Sequence, residues 1–148
     1  MTFPVAACRE IAKECTLFAI RSSSRAVTQL YEEALAPAGL KATQLSMLVA
    51  TAARDGWTVS GLAARLFMDR TTLTRNLQPL VRKGLLQVGS GRDRRSSTVA
   101  ITARGHAALK RAYPLWRRTQ RRLISRMGRR RWEALIDTLA SLTSPATG

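Results

Sequence analysis

Arg70, Thr71, Thr72, Thr74, Arg75 and Asn76 stand together in "DRTTLTRNLQPLVRK", interleaved with leucines. At helical spacing, Leu73, Leu77, Leu80 and Val81 gather on one side, leaving Arg70, Thr71, Thr74, Arg75 and Gln78 on the other. That polar side is a hydrogen-bonding surface. The threonine hydroxyls are short enough to meet a phosphate or a base edge, Arg75 could fork onto guanine, and Asn76 could pair with adenine. Taken alone, the same residues describe the solvated face of an ordinary amphipathic helix. A second cluster, Arg92, Asp93, Arg94 and Arg95, lies in "VGSGRDRRSSTVAIT". Asp93 is close enough in sequence to hold the Arg95 guanidinium, and an arginine at a ribbon tip can enter a minor groove, where negative potential concentrates. By itself this segment would be a solubilising loop. Two cationic segments a few residues apart make a shared polyanionic target the better reading.

The elements around them follow from local signals. Apolar residues recur at helical spacing from Val5 to Leu35, which predicts one long helix before the breakers Pro37 and Gly39. From Thr43, "TQLSMLVATAA" puts Leu45, Leu48, Val49 and Ala52 on one face of a second helix. Trp57 to Val59 suits a short strand. Ser60 is the expected N-cap of "GLAARLF", with Leu62, Ala63 and Leu66 inward, and Asp69 is the N-cap of the next helix. Arg82, Lys83 and Gly84 supply a basic last turn and a glycine stop. "LLQVG" and "STVAIT" read as the strands of a hairpin. Thr102 caps a helix running from Ala103 towards Met127, which Pro114 should kink, and Pro79 should bend the helix that begins at Asp69. Beyond Gly128, Trp132, Leu135, Ile136, Leu139 and Leu142 form the apolar stripe of a last helix.

Composition narrows the function. Among 148 residues, 25 Lys and Arg face 9 Asp and Glu, a net charge of +16 that favours polyanions. The excess is uneven: residues 1–40 hold four basic and four acidic side chains, whereas residues 92–131 hold fourteen basic ones against Asp93 alone. No apolar run approaches the length needed to cross a bilayer, so no membrane partner is expected. "MTFPVAACRE" lacks a basic region followed by a long apolar segment, and cytoplasmic residence is expected. Cys8 and Cys15 cannot complete a zinc site without further Cys or His partners. On one helix, seven residues apart, they would also be too distant for a mutual disulfide. No nucleophile motif, phosphate loop or paired carboxylate appears, so no enzymatic activity is expected. His106 reads as a surface helix residue.

"VSGLAARLFMDRTTLTRNLQPLVRKGLL", "GRDRRSSTVAIT" and "TARG", in that order, resemble the MarR family of bacterial transcriptional regulators. The resemblance extends from about residue 15 to 143. Its most specific parts are "DRTTLTR", the Gly84 stop, Asp93 and Arg95, and the helix start Ile101, Thr102 and Gly105. Two departures stand out: Phe67 occupies a turn where the family usually has glycine, and Pro79 interrupts the recognition helix. The resemblance implies a mainly α fold with a small β-hairpin wing. One domain, 1–148, would hold a winged helix-turn-helix core at about 40–105 and dimerisation helices at about 5–36 and 106–143. It implies a homodimer on double-stranded DNA, with recognition helix 69–83 in the major groove and wing 89–97 at the minor groove. The output would be repression relieved by an effector. No cofactor is expected. A small aromatic or anionic effector is open, with Arg21, Arg25, Trp57 or Trp116 as lining. Cys15 lies two residues before the position where a peroxide-sensing branch carries its reactive thiol, and a buried or inert thiol is the better reading. A ligand- or thiol-sensing protein of the same fold, binding DNA weakly or without specificity, is the alternative. The basic run 117–131 reads as a solvated face.

Overall fold

A computed structural model of the chain describes residues 2–91 and 97–143. In chain order the elements are α1 (Val5–Glu14), α2 (Thr16–Leu35), α3 (Ala42–Ala52), β1 (Trp57–Thr58), α4 (Val59–Arg65), α5 (Arg70–Arg82), β2 (Leu86–Ser90), β3 (Ser97–Ile101), α6 (Ala103–Met127) and α7 (Arg129–Thr143). The strands form an antiparallel sheet in the order β1-β3-β2, with Trp57 opposite Val99 and Val88 opposite Val99 on its other side. The mainly α fold with a hairpin is therefore as expected. Among the described residues, no helix is long and apolar enough to cross a membrane.

One core holds the head together. Leu35, Met47, Leu48, Leu62, Leu73, Leu80, Leu86 and Val99 are all essentially solvent-free, and Ala108 and Ala112 bring α6 onto them. Each such leucine stabilises the fold by about 2 kcal/mol relative to an exposed one. The leucine face of α5 is thus fixed inward, which turns its polar face out. Val81, expected on the inner side, lies at the margin and is exposed.

Three expectations are corrected. The long first helix is two, because Cys15 takes an extended backbone (φ −73°, ψ 111°) between α1 and α2. No glycine or proline marks that break. The break leaves Cys15 N donating to Ile11 O and Ala19 N donating to Cys15 O, so little hydrogen bonding is lost. Because α1 buries no residue, no core packing keeps it collinear with α2. Cys8 and Cys15 consequently do not share one helix; Cys8 is exposed and Cys15 half-buried. Second, the N-cap of α4 is Thr58, not Ser60: Thr58 Oγ1 accepts from Gly61 N at 3.0 Å, and Ser60 is exposed within the first turn. Third, α3 buries Gln44, Met47, Leu48 and Thr51, while Leu45 is half-buried and Val49 exposed. α6 runs as one helix through Pro114, and α5 through Pro79.

The exit from α5 sets the hairpin. Gly84 adopts φ +66°, Leu85 N donates to Leu80 O at 2.9 Å, and Gly84 N donates to Val81 O at 2.9 Å. This left-handed stop reverses the chain into β2. Thr102 locks the far end of the hairpin: its N donates to Leu85 O, and its Oγ1 reaches Gly84 O at 2.7 Å while accepting from Gly105 N.

Candidate nucleic-acid interface

Asp69 begins the interface. Its Oδ1 accepts from Thr72 N at 2.8 Å and its Oδ2 from Thr72 Oγ1 at 2.6 Å. These bonds hold the Asp69 carboxyl below its ordinary value of 3.8, because they favour the charged form. The capped first turn then presents Arg70 and Thr71 to solvent.

The six residues read as contacts from sequence separate into two groups. Arg70, Thr71, Thr74 and Arg75 are exposed and, with Gln78, line a shallow concavity of about 360 Å³. Thr74 Oγ1 donates back to Arg70 O at 2.8 Å, so its hydroxyl still has acceptor capacity to offer. Thr72 and Asn76 are half-buried. The Thr72 hydroxyl proton is committed to the cap, and Asn76 Nδ2 points towards Met68 Sδ at 3.9 Å, a weak contact directed at the preceding turn. Gln78 and Arg82, outside that set of six, extend the exposed face. Thr71, Arg75, Gln78 and Arg82 follow each other at i, i+4, i+7 and i+11, a spacing available in the sequence.

A second concavity of about 420 Å³ runs between α5 and the hairpin, lined by Arg70, Thr74, Gln78 and Arg82 on one side and Val88 and Ser97 on the other. It makes the helix face and the ribbon one continuous surface. Arg92, Asp93, Arg94 and Arg95 lie outside the described residues.

Away from this surface, an apolar cavity of about 550 Å³ opens between α3 and α6, lined by Leu45, Val49, Leu109, Lys110, Tyr113 and Trp116. A neighbouring cavity of about 330 Å³ shares Leu45 and Trp116 and reaches Tyr31 on α2. Tyr113 and Trp116 stack with ring centres 5.8 Å apart. Burial pushes the Tyr31 hydroxyl pKa up, and the hydroxyl donates to Gln120 Oε1. Of the four residues considered as effector lining, Trp116 is the one in these cavities. Trp57 instead donates from Nε1 to Ala50 O at 2.9 Å and lies under the Arg54 guanidinium, and Arg25 contacts Ser22 Oγ. Among the described residues, no group of three or more His, Cys, Asp or Glu is placed to hold a metal ion.

Comparison with known proteins gives a consistent result. A sequence model described as MarR family matches residues 38–96. No curated protein matches the chain by sequence. Among solved structures, the Mycobacterium tuberculosis transcriptional regulator MosR, crystallised in complex with DNA, is 40% identical, with a TM-score of 0.81 over 88% of this chain and 94% of that one. The transcriptional repressor CouR bound to a 23-mer DNA duplex is 28% identical, with a TM-score of 0.81 over 89% and 94%. CouR bound to p-coumaroyl-CoA is 26% identical, with a TM-score of 0.79 over 90% and 95%. The chain belongs to the MarR family of transcriptional regulators.

Proposed function

We propose that this regulator is a homodimeric repressor that binds a pseudo-palindromic operator through α5 and releases it on binding a small-molecule effector in the cytoplasm. The observation that carries the reading is the outward face Arg70, Thr71, Arg75 and Gln78 on a helix anchored by leucines and continuous with the hairpin groove. A major groove admits such a helix, and two of them in a dimer would occupy grooves one turn apart. The hairpin would bring Arg92, Asp93, Arg94 and Arg95 to the adjacent minor groove. The DNA-bound structures of MosR and CouR support this assignment.

Dimerisation falls to the helices outside the head. Leu17, Phe18 and Ile20 on α2, Ile11 on α1, and Leu135, Ile136, Leu139 and Leu142 on α7 are exposed in the single chain. Helical stripes of that size are ordinarily covered. The effector site is assigned to the cavity at Trp116, which lies between a helix of the head and one that leaves it. The p-coumaroyl-CoA complex of CouR supports an effector of aromatic character.

Selection of genomic fragments by the purified protein, followed by anisotropy titration, tests the reading. The selected fragments should share a two-fold symmetric site. Arg75→Ala should change which base is preferred within it, whereas a uniform loss on all sequences would make Arg75 a phosphate contact. Equal affinity and equal salt slope on selected and random DNA would refute sequence-specific regulation.

A further inference from the structure

Phe67 is the one non-glycine residue with positive φ among the described residues, at +52°. Its conformation is dictated by the end of α4. Met68 N donates to Ala63 O at 2.9 Å and Phe67 N to Ala64 O at 3.1 Å, the paired bonds of a left-handed helix stop. The end of α5 uses the same pair of bonds and fills the position with Gly84; Gly39, Gly56 and Gly128 fill the other left-handed positions. A bulky side chain in that region is an outlier with a steric penalty. The ring offsets little of it by packing, because Phe67 is 70% exposed, the most exposed large hydrophobic side chain among the described residues. Nothing within the described chain therefore explains a phenyl group at this position.

Its location does. Phe67 precedes the Asp69 cap by two residues, a span of at most about 7 Å of backbone. Arg70 and Thr71 follow at once. When the first turn of α5 enters a groove, the Phe67 ring is carried to the flank of that turn. We infer that Phe67 is a specificity residue: its ring makes an apolar contact with a thymine methyl at the edge of the half-site read by α5. Thymine alone presents a methyl group in the major groove, and phenyl groups are among the side chains that meet it. The inference rests on the proposed entry of α5 into DNA.

The test uses the full-length protein and a fragment selected by it. Anisotropy titrations would compare wild type, Phe67→Gly and Phe67→Tyr, each on the natural fragment and on copies with uracil replacing thymine at single positions. Phe67→Gly should bind about tenfold more weakly, the loss expected from uncovering an aromatic side chain. Its melting midpoint should be unchanged or a few degrees higher, because glycine suits the turn. Phe67→Tyr should retain affinity. One thymine-to-uracil change should weaken wild type and leave Phe67→Gly unaffected. Wild-type affinity in Phe67→Gly overturns the inference, as does a loss accompanied by a lower midpoint, or the absence of any uracil-sensitive position that depends on Phe67. Failure of wild type to prefer the selected fragment over random DNA would instead reject the DNA reading itself, and this inference with it.

Discussion

Gly105→Ala is the substitution whose cost the structure specifies best. Gly105 is buried in the first turn of α6, and a β-carbon placed there would lie 2.2 Å from Leu85 O and 2.6 Å from Ile101 Cγ1. The first neighbour is backbone, so no side-chain rotation relieves the overlap. Either α6 or the segment entering β2 must move by roughly 1 Å, an overpacking that typically costs 1–3 kcal/mol. The same carbonyl accepts from Thr102 N at 3.1 Å, a bond worth roughly 1 kcal/mol that the shift would weaken. Alanine returns about 1 kcal/mol of helix propensity. The net loss should be about 1–3 kcal/mol. Urea denaturation followed by circular dichroism at fixed protomer concentration would measure it, since dimerisation makes apparent stability concentration-dependent. Gly84→Ala is the control: its β-carbon meets nothing nearer than Arg104 Cδ at 3.8 Å, so its cost is the left-handed backbone alone, about 1 kcal/mol. DNA affinity should fall further in Gly105→Ala, because the shift occurs at the base of the hairpin. A Gly105→Ala protein as stable as wild type would refute the close approach of α6 to Leu85.

Two further outcomes follow from the same geometry. Asp69→Ala should lower the unfolding midpoint and DNA affinity near neutral pH, whereas Asp69→Asn, still able to accept from Thr72 N, should lose less. Because the folded carboxyl sits below its ordinary 3.8, its charged cap stabilises the fold fully above that value and is lost as pH falls through the lower folded value. The difference between wild type and Asp69→Ala should therefore shrink in acid; a constant gap from pH 7 to pH 2 would contradict the cap. Leu139→Asp with Ile136→Asp should convert the dimer to monomer by sedimentation velocity, with helicity retained, since both side chains are exposed in the single chain. Unaltered sedimentation would remove α7 from the interface.

The parts of the fold legible in sequence are those fixed by local hydrogen bonding. Asp69, Gly84 and Thr102 each do what their residue type and neighbours predict, and Gly105 is required by the close approach just described. Local rules failed where two neighbours offered the same chemistry. Thr58 and Ser60 both have a hydroxyl, and the strand pairing of Thr58 with Thr98 holds it extended, the conformation a cap needs. Cys15 shows a different limit: α1 carries a helical apolar pattern yet buries no residue, so nothing in the core holds it collinear with α2, and a one-dimensional pattern does not contain that. On α5, periodicity separated apolar from polar sides correctly, but it could not assign individual polar residues. Thr72 and Thr71 are the same residue type, one turned into the cap and the other to solvent, because only one of them lies three residues after Asp69.

The misjudged face of α3 connects these elements to regulation. Leu45, Leu48, Val49 and Ala52 read as one apolar face, but only Leu48 of them joins Met47 in the buried core, and Leu45 and Val49 line the cavity shared with Leu109, Tyr113 and Trp116. α3 thus has two apolar faces, one committed to the head and one facing an opening of about 550 Å³. In the proposed regulation, that second face would make α3 the element an effector displaces. A ligand wedged between α3 and α6 would shift their arrangement only if it bound the separated or reoriented state more tightly than the other, since an equilibrium moves solely by differential affinity. α6 starts at the Thr102 lock beneath the hairpin and runs 25 residues to Met127, so a tilt at Trp116 would be delivered to both the hairpin and α7. On that account the effector needs no contact with α5. In the proposed dimer it would alter how far apart two rigid heads are held, and an operator of fixed half-site spacing would convert that displacement into lost affinity.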